Sequence, residues 1–384
     1  MAEPSTDSDP MEPILHRLDP DGDVMLILRD YDVTSFAVWD EEVEAQLPSF
    51  TPGKSRPEWC PPAEKIGNGE SSSLANNGDA ADAQADDPPE VRMLVSSCHL
   101  ILASTYFKSM LHGNFSEGIK FHSSSANSPS YHQIITTEWD PSAMLILMNI
   151  VHGRTRNVPR SVDLQMLTKI AVLVDYYDCA EVVEVFSDMW VEKLRDSVPK
   201  AYCRELAMWM WVAFAFRKGD VFREVTTVAM MESRGAMQMM GLPMPESVIR
   251  AIEGRRLQSI TEVLDLLYGF KDGFGIPRGR CCFECKSLFI GCLALGMSNR
   301  CLCPRPEAPF LGLSFTKFEM CVREIESLKW PYCKGGNRRE KCAGPDGLIH
   351  PTLDKVRSKM AGLKLEKFKG PSGGDLSDKR ALDS

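Results

Sequence analysis

At 384 residues, 43% of them hydrophobic, the chain has material for about two domains and at least one sizeable core. Its 44 basic and 53 acidic residues leave a formal charge of −9. The segment Asp40 to Glu90, with twelve acidic residues against three basic ones, carries all of it, so no broad surface attracts a polyanion and general nucleic-acid binding is not favoured.

The N-terminus, MAEPSTDSDPMEP, lacks the basic start and apolar run of a secretory signal. No apolar stretch reaches the ~18 residues of a membrane span. An intracellular location, cytoplasm or nucleus, is therefore expected. In that reducing setting the thirteen cysteines are expected as thiols, core residues or metal ligands, not as a disulfide framework.

Residues 1–18 read as a flexible leader. Asp21-Gly22-Asp23 is a turn signal, and the apolar run Val24 to Leu28 predicts a buried strand. Tyr31 to Trp39, rich in β-branched and aromatic residues, is expected to continue the hairpin. From Asp40 to Glu90, Pro, Gly, Ser, Asn and Asp dominate; such a segment cannot bury enough surface to offset its ordering entropy, which predicts a disordered acidic insertion. Apolar sequence resumes with the strand-like Val91 to Val95.

Ser96 and Ser97 can cap one helix carrying Leu100, Ile101, Leu102, Tyr106, Phe107, Met110 and Leu111. Tyr131 to Thr137 is β-like. Asp140 before Pro141 predicts a helix start, a capping side chain followed by Pro at the first helical position. Further helices are predicted over 162–178, 180–195, 200–217, 220–232 and 246–269. A cysteine-bearing region, 281–342, follows, and then a polar, weakly basic tail from about 353 to 384.

Few motifs point to chemistry. Thr51-Pro52-Gly53-Lys54-Ser55 is similar to the end of a phosphate-binding loop, but Pro48 stands where a Gly is needed and no strand precedes it. No Gly-x-Ser-x-Gly, His-Glu-x-x-His or Gly-x-Gly-x-x-Gly is present, and the seven histidines lack acidic or cysteine partners at useful spacing. No catalytic residue and no cofactor is therefore assigned. Cys282-x2-Cys285 and Cys301-x-Cys303 are candidate zinc ligands, since two thiolate pairs 12–20 residues apart can complete a tetrahedral site. The competing reading places these cysteines as small core hydrophobes. The helix 200–217 is apolar on nearly every side, which predicts burial between the two halves, with a partner groove as the alternative. Lys355 to Lys369, six basic residues and one acidic, reads as a solvated tail, with an anionic-surface or nuclear-import role as the alternative.

The order of these parts carries a resemblance. Gly22-Asp23-Val24 opens a strand. Leu102-Ala103-Ser104-x-x-Phe107 follows, then Glu138-Trp139-Asp140-Pro141, then Ala171-x-x-x-Asp175-Tyr176-Tyr177. Over about 20–40 and 91–195 the chain resembles a BTB/POZ domain, of the kind common in fungal proteins. One departure is Ser96, which stands where many family members have a His. Pro306-x-x-Pro309-Phe310-Leu311-Gly312-Leu313-Ser314 is similar to the downstream part of many fungal members.

The resemblance implies an α/β (α+β) fold, a small sheet capped by helices over 19–195, and the predicted helices beyond it make a mainly helical C-terminal domain over 200–350 with a cysteine-rich end. It implies a non-enzymatic protein-interaction module, a homodimer or hetero-oligomer, with the first helix and N-terminal strand in the interface. The matching residues are Val24, Leu26, Leu100, Ile101, Ala103, Tyr106, Phe107, Met110 and Leu111. Two alternatives stand beside it. One is a substrate adaptor holding a cullin scaffold of a ubiquitin ligase through 138–152 and 154–166. The other is a transcription-associated regulator with zinc-bound cysteines and a basic tail.

Overall fold

The computed structural model describes residues 13–31, 36–48, 90–112, 120–121, 131–273, 282–326 and 344–368. Its mixed α/β architecture begins with a five-stranded sheet in the order β1-β3-β2-β5-β4. The strands are β1 (Ile14–Arg17), β2 (Val24–Arg29), β3 (Val91–Val95), β4 (Lys120–Phe121) and β5 (Tyr131–Thr137). β2 is central. It pairs antiparallel with β3, Val24 opposite Val95, and parallel with β5, Val24 opposite His132. Paired on both edges and covered on both faces, it needs the continuous apolar run Val24 to Leu28, of which Val24, Leu26, Ile27 and Leu28 are buried.

Two expectations about this sheet are corrected. The leader is not loose along its whole length: Ile14–Arg17 pairs parallel with β3, and Leu18 is buried. Backbone pairing holds a segment whose side chains gave no strand signal, while residues 1–12 lie outside the described residues. The hairpin partner of β2 is β3, not Tyr31 to Trp39. Within that stretch 32–35 are not described, and Phe36 and Ala37 form a turn, with Ala37 at φ 51. The aromatic groups are used elsewhere: Trp39 packs edge-on against Tyr202, and Arg204 donates to the carbonyls of Ala37 and Phe36 at 2.8 and 3.1 Å.

The insertion is likewise ordered at its start. Asp40 caps α1 (Glu41–Ala45), accepting from the Glu42 and Val43 amides at 3.0 Å. Gln238 bonds both ways to the Asp40 backbone, and Arg234 pairs with Glu44. These partners lie some 190 residues away in sequence, so local composition does not reveal them. At the other end Glu90 bridges Arg29 and Arg92. Residues 49–89, with the Thr51–Ser55 motif, lie outside the described residues.

One predicted helix is two. α2 (Ser97–Ala103) and α3 (Thr105–His112) break at Ser104, whose backbone is extended. Its hydroxyl accepts from the Phe107 amide at 3.0 Å and donates to the Tyr177 carbonyl, so one side chain caps α3 and ties it to the chain at Tyr177. α4 (Pro141–Val151) starts as expected, with the Asp140 carboxylate accepting from the Ala143 amide at 2.9 Å. The other Asp140 oxygen takes Lys169 of α5 (Leu164–Tyr176) at 2.6 Å, a nearly buried ion pair. α6 (Ala180–Leu194) closes this half through Trp190, whose indole donates to Pro159 at 2.9 Å.

α7 (Arg204–Ala215) is buried from Leu206 to Ala215, packed between α5 and α8 (Gly219–Glu232). The partner-groove alternative for 200–217 is therefore dropped. The aromatic area this helix buries offsets the indole nitrogens of Trp209 and Trp211, which have no hydrogen-bond partner among the described residues. α9 (Glu246–Lys271), α10 (Phe283–Asn299), α11 (Phe315–Arg323) and α12 (Pro345–Lys359) complete the chain, and the buried residues of both halves form one continuous cluster.

The expected flexible tail from 353 is docked as far as Phe368. Leu353, Val356, Met360, Leu363 and Leu365 are buried, the Leu363 amide donates to Thr226 at 2.9 Å, and Phe368 meets Phe222. Apolar groups interleaved with the lysines supply the anchorage that net charge conceals. Among the described residues, no helix is long and apolar enough to cross a membrane.

Candidate interaction surfaces

The two signature segments meet in one place. Phe107 stacks on Tyr177, with ring centroids 4.6 Å apart and planes 8° from parallel. The Tyr106 and Tyr176 hydroxyls lie 3.1 Å apart, and Trp139 packs edge-on against Tyr176. These contacts within the chain use up the aromatic residues of α3.

The start of α2 is pinned by two polar groups. Asp23 accepts from the Ser97 amide at 2.8 Å and the Ser97 hydroxyl at 2.7 Å. Burial works to raise the Asp23 carboxyl, but these bonds outweigh it and hold it below the ordinary range. His152, at the end of α4, accepts from the Ser96 amide through Nε2 at 2.9 Å, while Nδ1 lies 2.8 Å from the Met148 carbonyl. A carbonyl only accepts and an amide N–H only donates, so the proton sits on Nδ1 and the ring is neutral. Ser96 stands where the resemblance expects a His, and here a histidine 56 residues on bonds to its backbone.

Burial lowers the His152 pKa, and the His99 ring at 5.0 Å adds to that lowering. The unfolded chain therefore binds this proton first as pH falls through the ordinary imidazole value. Stability is expected to decline from about pH 6.5 toward the lower folded value, by at most ~1.4 kcal/mol per pH unit, and to level off below it. Urea unfolding at a series of pH values measures this. His152→Gln, which keeps an acceptor for Ser96, should flatten the profile in that window; an unchanged slope would remove His152 as its source.

Of the expected interface residues, Val24, Leu26, Leu100, Tyr106, Phe107 and Leu111 are buried in the chain's own core. Val24 and Leu26 belong to the central strand and cannot reach a partner without opening the sheet. Ile101, Ala103 and Met110 are half-buried. The residue left outside is Leu102, 87% exposed on α2. One edge of the sheet is β1, with Ile14 and Leu15 46% and 44% exposed. Four consecutive apolar residues, Leu100 to Ala103, exceed one helical face, and that signal was available in the sequence.

The region matching a cullin contact divides. α4 is mostly core, with Ala143, Met144, Leu147, Met148, Ile150 and Val151 buried. Thr155, Arg156 and Asn157 of the following 3-10 turn, with Arg160 and Ser161, are exposed.

The zinc candidates do not converge. Cys282 and Cys285 lie together at the start of α10, with sulfurs 3.4 Å apart. Cys301 and Cys303 follow its far end, and 17 helical residues span about 25 Å. Among the described residues, no three His, Cys, Asp or Glu side chains gather to hold a metal ion. Cys333 and Cys342 lie outside them.

Four basic residues, Arg255, Lys359, Lys364 and Lys367, line an open groove of about 350 Å³ beside Glu262, which pairs with Lys359. Compared with known proteins, the chain matches no family model, no curated protein and no solved structure.

Proposed function

We propose that the chain is a non-enzymatic protein–protein interaction module of the BTB/POZ type, working in the cytoplasm or nucleus through self-association. The observation that carries the reading is Leu102, a large apolar side chain 87% exposed on α2, the helix whose Leu100 is fully buried. Isolated exposed leucines are common, but this one lies on the helix that the resemblance assigns to the interface. A two-fold contact would place Leu102 of one protomer against the same helix of its partner. The element order supports the same reading: a hairpin, a helix pair, a strand returning parallel to the first, then a second helix pair.

The test is size exclusion with light scattering on the full chain. The wild type is expected to run as a dimer at tens of micromolar. Leu102→Asp removes apolar area from both sides of the contact and adds two carboxylates, costing about 3–5 kcal/mol and raising the Kd at least roughly a hundredfold. The variant should therefore be monomeric with an unchanged circular dichroism spectrum. A monomeric wild type, or a dimeric Leu102→Asp, overturns self-association through this helix. Recovery of a cullin with the monomer would favour the adaptor role instead.

A further inference from the structure

We propose that Cys282 and Cys285 form a dithiol site that exchanges with low-molecular-weight disulfides and closes to an intramolecular disulfide. Cys282 is the N-cap residue of α10 and Cys285 lies in its first turn, which is closed by the Lys286 amide on the Cys282 carbonyl at 3.2 Å. N-cap and N3 side chains converge at a helix start. The sulfurs already touch at 3.4 Å. A disulfide needs them ~2.05 Å apart, so an approach of about 1.4 Å forms the bond. The displacement falls on the N-cap residue, which precedes the regular hydrogen-bonded helix.

Access sets the order of events. Cys282 is half-exposed, whereas Cys285 is 4% exposed. An external disulfide meets Cys282 and not Cys285. The Cys282 sulfur, deprotonated, attacks one sulfur of the small disulfide; that S–S bond breaks and one small thiolate leaves with the electron pair. The Cys285 sulfur, deprotonated in turn, attacks Cys282 and expels the second thiolate. The protein loses two electrons and two protons, and the small disulfide gains them as two thiols. Elsewhere among the described residues, Cys179 and Cys321 are buried, and burial pushes the Cys321 thiol up to about 11, so neither competes.

The experiment equilibrates the reduced full chain with glutathione and glutathione disulfide over a range of ratios. It then traps thiols by alkylation and maps the tryptic peptide Cys281 to Lys286. The expected result is a peptide lighter by two hydrogens, with one of its three cysteines alkylated, in proportion to the glutathione disulfide. The bridge should persist in Cys281→Ser. Cys285→Ser should stop at glutathione on Cys282, and Cys282→Ser should leave Cys285 unmodified. A fully alkylated wild-type peptide at the most oxidising ratio overturns the proposal. So does loss of the bridge in Cys281→Ser, or glutathione accumulating on Cys285 in Cys282→Ser. Cys282→Ser changes a residue outside the core and Cys285→Ser exchanges one small side chain for another, so both are expected to fold, and circular dichroism checks each variant.

Discussion

Replacing Arg256 by alanine is expected to lower the unfolding free energy of the chain by about 3–5 kcal/mol. Arg256 lies on α9 and is 2% exposed. Its guanidinium touches no carboxylate among the described residues; it donates to the Leu313 and Pro309 carbonyls at 3.1 and 2.9 Å. Burial pulls its pKa below the ordinary arginine value, opposed only by the charge of Glu253. The two carbonyls belong to the loop Pro306 to Ser314, which α10 separates from α9 in sequence. Alanine leaves both carbonyls without a donor and opens a cavity the size of the side chain. Urea denaturation measures the loss. Arg256→Met refines the interpretation: it keeps most of the volume and removes the charge. If methionine restores wild-type stability, the carbonyl bonds contribute nothing net and the side chain acts by filling space.

The same residue shows where sequence reading stops. Elements whose cause is local were legible. Asp140-Pro141 starts α4 because a carboxylate and a preset φ act within one turn. β2 was legible because a strand covered on both faces must be apolar throughout. Segments held by distant partners were not. Glu41 to Ala45 is an acidic, polar run whose anchors, Arg234 and Gln238, appear only on folding. The tail beyond Leu353 read as solvated because six basic residues stand against one acidic between Lys355 and Lys369, although Leu353, Val356 and Met360 sit at helical spacing. Ser104 stood inside the resemblance without betraying that it breaks the helix, since its bond to the Tyr177 carbonyl joins positions 73 apart.

The candidate site was legible in kind and displaced in detail. The apolar excess of Leu100 to Leu111 pointed to the segment that forms α2 and α3. It named the core-facing members, because composition shows that a surplus exists and not which side of the helix carries it. Leu102 differs from Leu100 and Ile101 only in angular position around α2, and a break after Ala103 resets that angle for everything following. The cysteines failed for a related reason. Their spacing suits a metal only if the intervening segment turns back, and α10 instead runs straight between the two pairs.

Gly312→Ala is expected to detach the segment 36–48 from the C-terminal half and to cost about 2–4 kcal/mol. Gly312 has φ +78, and a Cβ there would lie 1.9 Å from the Pro48 carbonyl oxygen, a backbone atom that no rotamer change can move. Its amide donates to the Arg234 carbonyl at 2.7 Å, next to the Arg234 side chain that holds Glu44. Moving the loop away breaks that bond; moving Pro48 away strains Asp40 to Leu47 against Gln238 and Gly235. Hydrogen exchange reads the result at the Gln46 amide, which closes α1 on the Glu42 carbonyl at 2.9 Å and should lose its protection. Gly153 supplies the control: it also has positive φ, at 65, but nothing lies within 4 Å of its added Cβ. Gly153→Ala therefore carries only the backbone cost of roughly 1 kcal/mol. The excess of Gly312→Ala over Gly153→Ala measures the contact with Pro48. Equal effects would mean that 36–48 does not pack on the loop in solution, and the packing of α5 against α7 would then be the larger link between the two halves.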